Sequence, residues 1–303
     1  MDTPIEAYMK LGIVHHMAFP ELASGDGPWE ETIRLIALDP FFNAIEITHI
    51  EDPEVREEVR KLINLAHMGL GYGAHPAILG QGLDINALEE DTRSRACAIL
   101  KEQLDEAIQM GAESFGLLSG KDPGPERRSE AIEALIKSLE ELCAYSASKG
   151  GPNVVAEVFD CEVDRCCLLG PSSLAKAVAQ EVSKNHSNFG LLVDLSHIPL
   201  LKESPQQALA PVKEYLSGIH LGNAVVDPAY PGYGDNHPIF GTPGGANDIP
   251  EVAEFLKTLL EIGFLDGERR PIVSFEIKPM EGQDPMVMIA NAKRVLNQAW
   301  AMA

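Results

Sequence analysis

The 303-residue sequence predicts a single (β/α)8 TIM barrel spanning residues 1–303, with an extended loop after strand seven. Three observations carry that prediction. Short apolar runs alternate with longer amphipathic segments along the whole chain; there are eight such units; and no linker, low-complexity stretch or short repeat interrupts them. Continuous apolar strands separated by helices make a parallel sheet covered on both faces. Eight units favour closure into a barrel, for which about 250 residues is a common length, over an open doubly wound sheet.

The apolar runs are Lys10–Val14, Ala44–Ile47, Leu70–Ala74, Ser114–Leu118, Asn153–Val158, Phe189–Asp194, Gly218–Leu221 and Pro271–Ile277. Each is short and bounded by Gly, Pro, Asn or Asp, which reads as a strand. Between them, Val55, Val59, Leu62, Ile63 and Ala66 share one helical face, as do Val252, Phe255, Leu256, Leu259 and Leu260. Asp248-Ile249-Pro250-Glu251 supplies an N-cap, a first-turn proline and a returning acid for the latter helix. Gly111, Gly151 and Gly263 stand where C-terminal stops are expected. The connection Gly222–Asn247 is too long for an ordinary turn, and loops of that length are usually functional or mobile.

Charge narrows the partners. Acidic side chains number 46 against 24 basic ones, a formal net charge of -22. Counterion-release binding of nucleic acid needs a basic surface, and an anionic membrane would repel this one, so no nucleic acid and no membrane are expected. A small neutral molecule or a metal cation suits it better. The cysteines, at 97, 143, 161, 166 and 167, form no C-x-x-C pair and read as free thiols in a reducing compartment. Residues 1–10 lack a basic-then-apolar leader, and no apolar run approaches the ~18 residues of a membrane helix, so a cytoplasmic location is expected.

In such a barrel the chemistry sits at the C-terminal ends of the strands. Strand five ends Glu157-Val158-Phe159-Asp160, strand six Asp194-Leu195-Ser196-His197, strand seven His220-Leu221-Gly222-Asn223 and strand eight Glu276-Ile277-Lys278. Four consecutive strands therefore each bring a carboxylate or an imidazole to one rim. A charged Glu within an apolar run is costly to bury unless paired or metal-bound. Three carboxylates and an imidazole suit Mn²⁺, Mg²⁺ or Co²⁺ better than a thiolate-type zinc site does.

The motifs Val155-Ala156-Glu157, Val193-Asp194-Leu195-Ser196-His197, Gly218-Ile219-His220 and Ser274-Phe275-Glu276 resemble the xylose isomerase-like TIM-barrel superfamily, which includes sugar isomerases, ketose 3-epimerases and the endonuclease IV branch. The resemblance spans essentially the whole chain. It implies Glu157, Asp194, His220 and Glu276 as ligands of one divalent metal ion, Mn²⁺, Mg²⁺ or Co²⁺ with Zn²⁺ as an alternative. It implies His197 in contact with substrate or with a second metal, and Glu157 and Glu276 as the catalytic pair that exchanges protons with a sugar. As assembly it implies a homo-oligomer or a small partner subunit.

The chemistry so implied is coherent. A proton next to a carbonyl is weakly acidic, a chelated metal stabilises the enediolate left by its removal, and two carboxylates can remove and return it. The expected function is thus a metal-dependent isomerase or epimerase acting on an unphosphorylated sugar or sugar derivative. Between Leu221 and Leu256 there is no Lys or Arg to meet a phosphate, and Gly241-Thr242-Pro243-Gly244-Gly245 reads as a turn and lid element.

Other chemistries fit the same site. The strings Glu157-Val158-Phe159-Asp160, His220-Leu221-Gly222-Asn223 and Gly234-Asp235-Asn236-His237-Pro238 resemble the barrel subunit of lyases that cleave C-glycosides of oxidised sugars, with Asn223 where epimerases usually carry an acid. His75 with Asp235 and His237 completes most of a trinuclear zinc set like that of the endonuclease IV branch, but Leu117-Leu118-Ser119 offers no histidine on strand four, and the charge disfavours DNA. A non-catalytic metal-binding scaffold is the remaining reading.

His16 (with His15) after strand one, Glu46 (with His49) at the end of strand two, His75 before Pro76, His197, His237 and Lys278 are the candidates to line the substrate cleft. Lys278 follows Glu276 by two and so points to the same face.

Overall fold

The structure is a computed structural model that describes residues 4–303; Met1–Thr3, where the predicted domain and N-terminal segment begin, lie outside the described residues. Eight parallel strands occupy β1 (Lys10–Ile13), β2 (Ala44–Ile47), β3 (Gly69–Gly73), β4 (Ser114–Leu117), β5 (Asn153–Val158), β6 (Phe189–Asp194), β7 (Leu216–Gly222) and β8 (Ile272–Glu276). The largest difference from the sequence reading is at the start of β7, which begins at Leu216 rather than Gly218. The sheet runs β1-β8-β7-β6-β5-β4-β3-β2. Its ends are joined by a parallel bridge between Val14 and Glu46, and by the Asn43 N–H donating to the Leu11 carbonyl at 2.9 Å. This is the (β/α)8 barrel.

Strand register decides which residues face inward. Alternate residues share a face, and pairing carries that face from strand to strand. Gly12 pairs with Ser274, Glu46 with Gly71, Gly73 with Gly116, Gly116 with Val155, Glu157 with Leu192, Asp194 with His220 and Gly222 with Glu276. The inward set therefore holds Glu46, Glu157, Asp194, His220 and Glu276. The intervening residues, such as Ile45, Tyr72, Phe115, Leu117, Val193, Ile219, Leu221 and Phe275, are buried and apolar, and form the layer against the helices.

Bulky branched residues usually fill the interior of such barrels, yet here many inward positions are glycine. A Cβ on Gly71 would come within 2.8 Å of Glu46 Cγ, and one on Gly116 within 3.1 Å of His75 Cε1. The missing side chains make the room that Glu46 and His75 occupy.

The helices follow their local signals. Asp52 caps Pro53–Leu65 by accepting the Glu54 N–H at 2.8 Å, and Val59 and Ile63 are the residues that helix buries. Helix Ile249–Glu261 begins where predicted, with Glu251 accepting the Asp248 N–H at 3.0 Å. Gly111 and Gly263 take positive φ after their helices, whereas after Arg128–Ser148 the residue with positive φ is Gly150, with Gly151 following it in the turn.

The segment 222–247 is a built element. Val225 forms isolated bridges to Tyr233 and Gly245. Buried Asn247 donates to the carbonyls of Leu195 (3.2 Å) and Gly222 (3.0 Å), and its N–H donates to Asn223 Oδ1 at 2.8 Å. These bonds fasten the segment across the ends of β6 and β7.

Candidate active site

At the C-terminal rim, donor atoms of Glu157 (β5), Asp194 (β6), His220 (β7) and Glu276 (β8) all lie within 4.8 Å of one another. All but Glu276 are buried. The four come together because their strands are neighbours and their inward parity coincides.

The surrounding contacts fix each group. His220 Nδ1 lies 2.5 Å from Glu276 Oε2, and its Nε2 lies 3.1 Å from Glu46 Oε1, which also accepts from the Ser274 hydroxyl. Glu157 is held from two sides, by His197 Nε2 at 3.0 Å from Oε1 and by His75 Nε2 at 2.8 Å from Oε2. One oxygen of Asp194 accepts the Ser196 N–H at 2.8 Å.

The loop after β7 adds Asp235 and His237, both buried. His237 Nε2 stands 3.0 Å from Asp235 Oδ1 and 3.7 Å from Glu276 Oε1, and its Nδ1 stands 3.6 Å from Asp194 Oδ2. His237 adopts φ +47°, and its carbonyl accepts the Lys278 N–H at 2.7 Å, so the end of β8 anchors the loop residue. Asp194, His197 and His237 make a second group of donors within 4.8 Å, sharing Asp194 with the first.

Electrostatics follow from packing acids and imidazoles together out of water. Burial lifts the Asp194 carboxyl to about 6. Burial is the largest effect on His197 and His237 and opposes their charge, but the surrounding carboxylates together outweigh it, carrying His197 to about 9 and His237 to about 10. Asp235 comes first among them, with Glu157 and Asp194 for His197 and with Glu276 and Asp194 for His237. Burial works against the Glu276 carboxylate too, yet His237 and His220 bring it down to about 2. Glu157, despite burial, is held well below the usual carboxylate range by His197 and His75. In His16 burial dominates and lowers the imidazole to about 4.

The donors fit a divalent cation. Asp194 Oδ2 is buried and, among the described residues, has no hydrogen-bond partner, and such an oxygen is costly unless a cation or a donor meets it. Three carboxylates and one imidazole form an oxygen-rich set of the kind that Mn²⁺, Mg²⁺ or Co²⁺ takes, with Zn²⁺ also accommodated.

The family model for the xylose isomerase-like TIM barrel matches residues 31–297. The chain belongs to that family. No curated protein matches it in sequence. Among solved structures, a D-psicose 3-epimerase from Clostridium cellulolyticum H10 with D-tagatose is similar at TM-score 0.65 and 18% identity, over 97% of this chain and 96% of that one. A D-tagatose 3-epimerase-like protein gives TM-score 0.71 and 18% identity, over 97% and 99%. A 3-keto-D-glucoside 4-epimerase from E. coli gives 0.66 and 16%, over 95% and 99%. At these identities the likeness is one of fold.

Within this xylose isomerase-like barrel, the sequence-predicted residues divide by location. His16, Glu46, His75, His220, His237, Glu276 and Lys278 line one cavity of about 190 Å³ above the donors. The Lys278 side chain is exposed at its rim. Glu46 lines that cavity, but its carboxylate is engaged behind His220. His15 packs against Phe19 and Trp29 in the core, and His49 turns to Glu106 at 2.7 Å. Helix Pro53–Leu65 sends Arg56 to that same Glu106.

Sequence reasoning left out two contributors, Ser274 and Arg165, and gave Asp235 only as part of the alternative zinc set. Asp235 was legible in the Asp-x-His spacing, and the structure makes it the acid between His197 and His237. Ser274 faces inward by parity two residues before Glu276. Arg165, which lies 3.6 Å from Asp235 Oδ2, comes from the loop after β5, where no periodicity marked it.

Proposed function

We propose that the chain is a divalent-metal-dependent sugar isomerase or epimerase acting by proton transfer next to a carbonyl, on an unphosphorylated sugar or sugar derivative. One observation carries the reading: two carboxylates from different strands, Glu157 and Glu276, share one buried donor group with Asp194 and His220 beneath a cavity. The family and the sugar epimerases of the same fold support it.

Glu157, Asp194, His220 and Glu276 would hold the cation, which would polarise the substrate carbonyl and offset the charge that proton removal leaves behind. Glu157 and Glu276 act as acid and base. Each is kept ionised in its resting state by imidazoles, His75 and His197 for the first and His220 and His237 for the second. One carboxylate takes the proton from the carbon next to the carbonyl, and the other, once it has received a proton from an adjoining imidazolium or from solvent, delivers it to the opposite face, which changes the configuration there. His16, His75 and His237 face the substrate hydroxyls, and Lys278 stands at the entrance.

The experiment is product analysis. Mn²⁺-loaded protein is incubated with a ketohexose and with a 3-oxo-glucoside, and the products are resolved by NMR. An epimer or an isomer supports the proposal. Release of the aglycone without epimerisation assigns the site to the lyase chemistry, and no conversion of either compound overturns both.

A second cation is a reading favoured by one observation, the group Asp194, His197 and His237, in which His197 Nδ1 and His237 Nδ1 are buried without hydrogen-bond partners among the described residues. Metal analysis after loading decides it: two ions per chain support a second site, and one ion removes it.

A further inference from the structure

Beside the cavity above the donors lies a larger one that this chemistry does not use. It measures about 390 Å³, and Ile78, Leu79, Leu83 and Leu118 give it an apolar lining while two acids, Asp84 and Asp164, and two bases, Lys121 and Arg165, bring balanced charge to it. Leu79 and Arg165 line both cavities, so the two adjoin. The inner one, about 190 Å³, falls short of the roughly 300–1,000 Å³ occupied by most small-molecule sites; the pair together falls within that range.

Local details show that the outer cavity is shaped. A Cβ on Gly120 would lie 2.0 Å from Asp84 Oδ1, so only glycine leaves the Asp84 carboxylate its place. That oxygen accepts the Asn86 N–H at 2.9 Å, and burial raises the Asp84 carboxyl. Arg165 Nε is buried and, among the described residues, has no hydrogen-bond partner. Helix His75–Gln81 ties the two cavities together, since its first residue contacts Glu157 while Ile78 and Leu79 line the outer space.

We propose that the outer cavity is an aglycone subsite, and that the substrate is a glycoside whose aglycone is an uncharged, largely apolar ring. The inference rests on the sugar reading of the inner site and narrows its substrate class. The sugar ring occupies the inner cavity. The aglycone extends past Leu79 and Arg165 on the side of Glu157, with its ring against the leucines and its polar substituents toward Asp84, Lys121 and Arg165, whose Nε also lies 3.6 Å from Asp235 Oδ2. A free monosaccharide would use only the inner cavity.

The test compares two probes on the Mn²⁺-loaded protein by calorimetry, methyl and phenyl 3-oxo-β-D-glucopyranoside, with solvent deuterium exchange into each followed by NMR. Burial of the phenyl ring is expected to tighten binding by at least about tenfold over the methyl compound. Leu83→Asp, which changes only the outer cavity, should abolish that gain and leave the methyl compound bound as in the wild type. Leu83→Ala, which removes apolar surface without adding charge, should cut the gain and keeps the test intact if the aspartate variant does not fold. Equal binding of the two probes, or a phenyl gain unchanged in both variants, overturns the subsite while exchange into the methyl compound leaves the sugar chemistry standing. Neither binding nor exchange with either probe overturns the subsite together with the reading beneath it.

Discussion

His220 shows how one side chain is made ready for a cation. With Nδ1 toward Glu276 and Nε2 toward Glu46, the ring is fixed in orientation, and the Ser274 hydroxyl steadies Glu46 in turn. A carboxylate behind a metal-binding imidazole raises its basicity, and removing such a partner typically costs about 10–100-fold in metal affinity. Glu46→Gln is therefore expected to weaken metal binding by roughly that factor, measured by competition with a chromogenic chelator; unchanged affinity would assign Glu46 to the substrate instead. The sequence put Glu46 at the end of strand two among the candidates to line the cleft, but such a placement names no partner. What Glu46 touches depends on β7 and β8, more than 170 residues away in the chain, which no local pattern records.

Protons compete with the cation for the same residues. Burial disfavours charge on His220, His197 and His237, yet the acids around them together, Glu46 and Glu276 for the first and Asp235 foremost for the other two, raise all three above the usual imidazole value. A histidine protonated in the metal-free protein must lose its proton to become a ligand. Metal affinity should thus rise with pH from 6 to 9, by roughly one decade per pH unit for each proton displaced, and loading at pH 7 in weak buffer should acidify the solution. Affinity that is flat or falling across this window contradicts the ligand assignment.

At the scale of elements, the strands give the site its room as well as its ligands. The alternation of Gly69, Gly71 and Gly73 along β3 was present in the sequence as a period of two, but the run Leu70–Ala74 read only as a strand. Its meaning required the neighbours across the barrel. The strands themselves were legible because outward residues on every strand are apolar and the turns carry Gly, Pro, Asn or Asp. The order inside the loop after β7 was not legible, because its long-range ties, Asn247 to the ends of β6 and β7 and Lys278 N–H to His237, join residues with no shared periodicity.

Gly222 is where strand and loop meet the site. A Cβ there would come within 2.9 Å of His237 Nδ1, 3.0 Å of Asp194 Oδ1 and 3.0 Å of the Glu276 carbonyl oxygen. The last is backbone and cannot swing aside. Gly222→Ala should cost about 1–3 kcal/mol in denaturant unfolding of the metal-free protein, as overpacking does, and should also weaken metal binding by displacing donors. A variant that matches the wild type in both measurements would show that the end of β7 has slack the structure does not.

At the scale of the molecule, the charge of -22 and the site pull in the same direction. Acids dominate the surface, and the buried cluster gathers Glu46, Glu157, Asp194, Asp235 and Glu276 against a few imidazoles. A cation bound only by the folded barrel stabilises it by mass action, by about 4 kcal/mol when present at a thousand times its dissociation constant. Chelator-stripped protein should therefore unfold several degrees below Mn²⁺-loaded protein, and Asp194→Asn should remove most of that difference. An equal Tm with and without metal in the wild type would argue against a resident ion.

The central claim is proton transfer by two carboxylates on one buried metal group, and deuterium wash-in reads it directly. Mn²⁺-loaded wild type, Glu157→Gln and Glu276→Gln are each incubated in D2O with a 3-oxo-glucoside, and the carbons beside the ketone are followed by NMR. The account predicts deuterium at one such carbon with the wild type, its loss by at least about a hundredfold in the variant that lacks the carboxylate facing that proton, and no inversion of that carbon in either variant, while each still binds the glucoside. Wash-in that persists in both variants at the wild-type rate would contradict it.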